Sequence, residues 1–152
     1  MITQLLDEVQ VVQEKEHKLI FVVGAPGSGK SKLLRLLKDR EDVAQVNIYK
    51  ELTRLLMALP RERWAQELTN ILADIFESYD EPILALDNIE ILFARELRAD
   101  PLAIFVQFSM DKTLIVGWVG SYENNQLSWA VQGHPEYKTF PADACPGSII
   151  VL

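Results

Sequence analysis

Cysteine is nearly absent: Cys145 is the only one in 152 residues. An internal disulfide is therefore ruled out, and so is a metal centre built from cysteines. Histidine is as scarce, with only His17 and His134. They stand far apart with no acidic or cysteine partner at ligand spacing, so neither supports a metal site. No apolar run approaches the ~18 residues that a membrane-spanning helix needs. At the start, Asp7, Glu8, Glu14 and Glu16 stand where a signal peptide would carry a basic segment before an apolar one, so the protein is expected to be cytoplasmic. Positive charge is also short, with 15 Lys and Arg against 22 Asp and Glu and a net charge of −7. Such a surface on average repels nucleic acid, and direct binding to DNA or RNA is not expected of the acidic chain without a local basic patch.

What is there suits a globular protein. Hydrophobic residues make up 49% of the chain and charged residues 24%, too apolar for disorder. The length fits one domain over residues 1–152 with a single core.

The most informative stretch is Gly24-Ala25-Pro26-Gly27-Ser28-Gly29-Lys30-Ser31, a complete match to the GxxxxGK(S/T) phosphate-binding loop. Leu19 to Val23 before it reads as a buried parallel strand. Ser31 to Arg40 after it carries Leu33, Leu34, Leu36 and Leu37 at helical spacing and ends in Lys38 and Arg40, cations suited to a helix C-terminus. The glycines let consecutive N–H groups turn inward, and the helix N-terminus adds partial positive charge towards a polyphosphate. Lys30 is expected to reach the β- and γ-phosphates of ATP, and the Ser31 hydroxyl to sit on a Mg2+ ion bridging them. Pro26 and Gly27 set the loop's shape. A glycine-rich turn without a ligand is the competing reading; Lys30, Ser31 and the preceding strand together argue against it.

Around the loop, residues 1–16 hold an amphipathic helix with Ile2, Leu5, Leu6, Val9 and Val12 on one face. Val43 to Tyr49 reads as a strand with Val46 and Ile48 on one face, and Glu51 to Leu59 as a short helix. Pro60 restarts the chain, and Trp64, Leu68, Ile71, Leu72, Ile75, Phe76 and Tyr79 give the clearest helical period. Ile83 to Leu86 is a compact apolar strand with Asp87 at its carboxyl end, where a carboxylate can hold a water of the magnesium shell. Asp87 to Glu90 also fits a capping box, which stands as the alternative role for both acids. Ile89, Leu92, Phe93 and Leu97 suggest a helix, and Asp100 and Pro101 a cap and first position of the next. Thr113 to Gly120 is a strand, at whose end Ser121 could sense the γ-phosphate; plain turn chemistry through Glu123 to Gln126 is the favoured reading there. Residues 121–152 are expected to form a hairpin, with Leu127 to Val131 as its second arm, an irregular segment rich in Pro and Gly, and a last apolar strand from Ser148 to Leu152.

This order describes an α/β fold, a P-loop NTPase three-layer sandwich with a mostly parallel central sheet. The span from Lys30 to Asp87 leaves room for an extra strand. In this it resembles the additional-strand ATPases, the AAA+ and RecA-like group, whose catalytic glutamate usually follows the magnesium aspartate directly. That position is Asn88, which can orient a water but cannot take its proton. Glu90 is the candidate substitute. A helical lid domain, which AAA+ proteins place after the core, is not expected in a chain of this length. Arg95 and Arg98 read as solvated surface charge, and an arginine finger from another subunit would imply a homo-oligomer.

The GAPGSGKS loop near the N-terminus, the segment Ile83 to Glu90 and the stretch Gly133-His134-Pro135-Glu136-Tyr137 together resemble the BrxF family, small P-loop proteins of type 3 BREX phage-exclusion systems. The resemblance covers nearly the whole chain, with only the phosphate loop a specific motif by itself. It implies a cytoplasmic component of bacterial antiviral defence that works with a large ATPase, a methyltransferase and a phosphatase-like protein. The leading functional expectation is an ATP-binding regulatory protein, a weak or partner-dependent ATPase. A small-molecule or nucleotide kinase is the second, opposed by the shortage of clamping arginines after Asp87. A non-hydrolysing binding module is the third, kept open by Asn88. No Asn-Lys-x-Asp motif occurs, which favours ATP over GTP.

Overall fold

The computed structural model describes residues 2–130, 138–141 and 145–152. The phosphate-loop strand β1 (Leu19–Gly24) is buried along all six residues, as a parallel strand covered on both faces must be. Beside it β4 (Thr113–Glu123) pairs in parallel, with Gly24 opposite Val119. β3 (Ile83–Asp87) follows on the far side of β4, and β2 (Val43–Asn47) lies outside β3. On the other flank β7 (Ser148–Val151) pairs in parallel with β1. The sheet order is thus β2-β3-β4-β1-β7. The strand inserted between the loop strand and the acidic strand is β4, which comes later in the chain; β2, between them in sequence, sits at the edge.

Helices α1 (Ile2–Val12) and α2 (Lys30–Arg35) cover one face, where Leu5, Val9, Leu33 and Leu34 pack on Ile20, Val22, Ala85 and Ile115. On the other face α3 (Ile48–Leu56), α4 (Trp64–Glu77) and α5 (Pro101–Phe108) bury Leu52, Leu72, Ile75 and Phe105 against Phe21, Leu84, Leu86 and Val116. These layers are the expected three-layer sandwich. Among the described residues no helix is long and apolar enough to cross a membrane.

Several boundaries differ from expectation, each for a local reason. The helix after the loop ends at Arg35 and continues as turns, so Leu36 is 58% exposed instead of joining the apolar face. Ile48 belongs to α3 and not to the strand, because Asn47 caps the helix there, its Oδ1 accepting from Lys50 N–H at 3.0 Å. Residues 89–97 form two short 3-10 turns and not an α-helix, interrupted by extended Ala94. Asp100 does cap α5, accepting from Ala103 N–H at 3.2 Å with Pro101 behind it.

β4 runs on past the parallel sheet to Glu123 and turns through Asn124 and Asn125, at φ 54 and 59, into antiparallel β5 (Gln126–Trp129). Two consecutive left-handed residues make the tight hairpin turn that matches strand twist, and asparagine tolerates that conformation. β5 also pairs with β6 (Lys138–Pro141), so part of the stretch expected to be irregular is a strand. Gly120 is required by this crossing, since a Cβ there would stand 1.8 Å from the Ser128 carbonyl oxygen. Val131 and the stretch Gly133 to Tyr137, His134 included, lie outside the described residues.

Candidate functional site

Every parallel strand points its carboxyl end at the same edge of the sheet, where the loop from Gly24 to Ser31 leaves β1. Its shape depends on the glycines. Gly27 and Gly29 hold φ values of 77 and 100, left-handed conformations that side chains disfavour. A Cβ on Gly24 would collide with Ser28, 2.2 Å from its Oγ. The turn closes through Ser28 N–H to Ala25 O at 3.1 Å, and α2 starts at once with Leu33 N–H to Gly29 O at 2.9 Å.

Lys30 is only 8% exposed, an uncommon position for an ammonium. Its Nζ donates to Ala25 O at 2.8 Å and to Ser28 Oγ at 3.3 Å. Burial lowers its proton affinity below the usual lysine value, and the negative charges of Asp87 and Glu90 partly offset that loss. In front of the loop lies an open concavity of about 240 Å³, lined by Gly27, Gly29, Lys30, Ser31, Lys32 and Arg35. Lys32 and Arg35 escaped the sequence reading. Their i,i+3 spacing on the helix that follows the loop was the available signal.

Asp87 closes β3 half-buried, its Oδ1 accepting from the N–H of Asn88 at 3.0 Å. This geometry removes the capping box: the residue that starts the following 3-10 turn is Asn88, at φ 55, with no side-chain cap. Asn88 in turn accepts at its carbonyl from Tyr49 N–H at 3.1 Å, which ties the start of α3 to the acidic strand end. Ser31 and Asp87 offer hydroxyl and carboxylate oxygen. These hard donors fit Mg2+, which keeps several of its waters when bound.

Ser121 does not stand at a strand end. It is exposed within the antiparallel ladder, paired with Ser128, two residues beyond the partner of Gly24. Arg95 and Arg98 are both exposed, Arg98 at φ 48. The two ion pairs among the described residues, Arg40–Asp42 and Arg63–Glu67, involve neither. His17 is occupied with the Val106 carbonyl at 3.0 Å from Nδ1.

Residues 12–117 match the family model described as AAA domain. The matched span starts at the end of α1 and reaches the middle of β4, taking in the loop and Asp87. No curated protein matches the chain.

Proposed function

Because the chain belongs to the AAA domain family, and so is a P-loop nucleotide-binding protein, we propose that it binds Mg2+ and ATP and is a weak or partner-dependent ATPase with a regulatory role. The observation that carries this reading is the glycine loop itself, whose left-handed Gly27 and Gly29 and buried Lys30 face an open concavity at the carboxyl edge of the sheet, the edge at which β3 ends in Asp87. Bound phosphate replaces the Ala25 and Ser28 partners of Nζ with charged oxygens, the stronger kind of hydrogen bond. The N–H groups of the loop from Gly24 through Ser31 wrap the β-phosphate. Ser31 and Asp87 hold the ion, which neutralises charge between the β- and γ-phosphates. For Ser121 the supporting observation is its place on β4, the strand beside β1.

The likeness of the loop and of the Ile83 to Glu90 segment to BrxF supports a role in a BREX-type antiviral system of a bacterial cytoplasm. There the nucleotide state would set contacts with the large ATPase, the methyltransferase or the phosphatase-like protein, or with further copies of this chain.

The test is titration of a fluorescent ATP analogue into the purified chain with and without Mg2+, beside Lys30→Ala and Asp87→Asn. Saturable binding lost in the first variant and stripped of its magnesium dependence in the second supports the reading; no binding by the native chain sinks it. Deleting the gene from its host and counting phage plaques tests the defence role separately.

A further inference from the structure

Among the described residues, the open concavity of about 240 Å³ in front of the loop is lined by the cations Lys30, Lys32 and Arg35 and by no acid. In a chain of net charge −7 that is a local reversal of sign. The cations differ in how they are held. Lys30 is 8% exposed, and its Nζ is tied back within the loop to Ala25 O at 2.8 Å. Lys32 and Arg35 are exposed at i,i+3 spacing on α2, so they share one face of the helix, while Leu33 and Leu34 between them are buried against the sheet. Among the described residues neither takes part in an ion pair. No residue of β3 lines the concavity, so its outer wall is the exposed face of α2 and not the acidic strand.

We propose that Lys32 and Arg35 form a second anion subsite beside the phosphate loop, and that this chain's ligand is an adenine nucleotide with a phosphate on a ribose hydroxyl as well as its 5′ polyphosphate. The inference rests on the ATP reading above, in which the loop, Lys30 and the ion held by Ser31 and Asp87 take the β- and γ-phosphates. That commits the γ-phosphate end to the side of Asp87. The nucleoside end leaves along the other wall, where Lys32 and Arg35 stand. Plain ATP brings to that wall only the single negative charge of its α-phosphate, and two cations face it. A phosphate monoester on the ribose adds a charge of about −1.5 to −2 at neutral pH, which matches the surplus. The planar guanidinium of Arg35 can grip two oxygens of such a group at once, and Lys32 adds a point charge beside it. The 2′- and 3′-hydroxyls are neighbours on the ring, so a phosphate on either presents the same chemistry to this pair.

The experiment is calorimetric titration of the full chain, in Mg2+, with ATP and with its 2′-phosphorylated and 3′-phosphorylated forms. At least one phosphorylated form is expected to bind ~10-fold or more tighter than ATP, because a charge-assisted hydrogen bond exceeds one tenfold step in affinity. Lys32→Gln and Arg35→Gln each bring that ratio to within about threefold of unity. Arg35→Lys, which keeps the charge and loses the planar fork, falls between. Lys38→Gln removes an exposed cation that does not line the concavity, and keeps the native ratio. All these side chains are exposed, so the variants keep the native melting temperature. A native chain that binds neither phosphorylated form ~10-fold tighter than ATP overturns the subsite and leaves the ATP reading standing. So does a preference that survives both glutamine variants at positions 32 and 35, or one that Lys38→Gln lowers as far as Arg35→Gln does, the mark of a diffuse field. A native chain that binds none of the three nucleotides overturns the ATP reading as well.

Discussion

Asp87 and Gly117 share one space across β3 and β4: a Cβ on Gly117 would lie 3.5 Å from Asp87 Oδ1 and 3.3 Å from Leu34 Cδ1. β4 stands between the acidic strand and the loop strand, and Gly117 sits level with Val22 of β1. By giving up its side chain there, β4 lets the carboxylate look across to the loop.

Gly117→Ala should therefore be absorbed by a shift of a few tenths of an ångström in Leu34. Gly117→Val has no such room, and overpacking of about 1–3 kcal/mol is relieved by moving either Leu34 or the carboxylate. Nucleotide titration with and without Mg2+ checks this: affinity in Gly117→Val falls at least ~10-fold and loses magnesium dependence, while Gly117→Ala stays near native.

Lys30 carries a cost in the empty protein, because burial lowers its proton affinity. A lysine whose folded pKa lies below the unfolded one binds fewer protons when folded, so stability rises with pH from that lowered value up to the ordinary 10.5. Lys30→Met keeps the aliphatic stem and removes the charge. Its melting temperature at neutral pH is expected to be no lower than native, with any gain shrinking as pH climbs towards 10.5. Thermal melts of both proteins without nucleotide read this out; a variant that melts well below native at neutral pH would show the charge to be stabilising. The same variant loses ATP binding, a trade of stability for function.

Trp118 is the hinge of the packing between the parallel sheet and its hairpin extension. It is fully buried, donates Nε1–H to Ser128 O at 2.9 Å, and meets Phe21 and Trp129 edge-on at 5.2 Å each. Trp129 itself stacks on Phe93 at 3.9 Å, which joins the hairpin to the segment carrying Glu90. Trp118→Phe removes the indole N–H bond to the Ser128 carbonyl and leaves a gap beside it. A loss of about 2 kcal/mol is expected, seen as a lower urea midpoint at unchanged slope.

The loop and Asp87 were legible in the sequence because each is a local pattern: consecutive glycines with Lys and Ser, and an apolar strand ending in one acid. What escaped depends on partners distant in the chain. Gly117 reads as an ordinary strand glycine until Asp87 is placed beside it. Ile48 alternates with Val46 like a strand residue, and only the Asn47 cap and the Tyr49 bond to Asn88 make it helical. Leu92, Phe93 and Leu97 have helical spacing, but left-handed Asn88 and extended Ala94 break the helix into 3-10 turns. Ser121 reads from sequence as a strand end because the antiparallel continuation of β4 depends on its pairing with β5.

Asn88→Glu would place a carboxylate directly after Asp87, the position of the catalytic glutamate in the additional-strand ATPases that the sequence resembles. The backbone argues otherwise. Residue 88 sits at φ 55, a conformation that asparagine visits readily and most side chains pay for with roughly 1–2 kcal/mol. Glutamate there strains the turn after β3 and loosens the bonds to Asp87 and Tyr49. Phosphate release by Asn88→Glu is thus expected to stay at or below native, with a melting temperature lower by about 2–8 °C. Asn88→Gly, free of the strain, should keep most of the rate. If Asn88→Glu instead raises turnover tenfold or more, the site was waiting for a carboxylate at position 88.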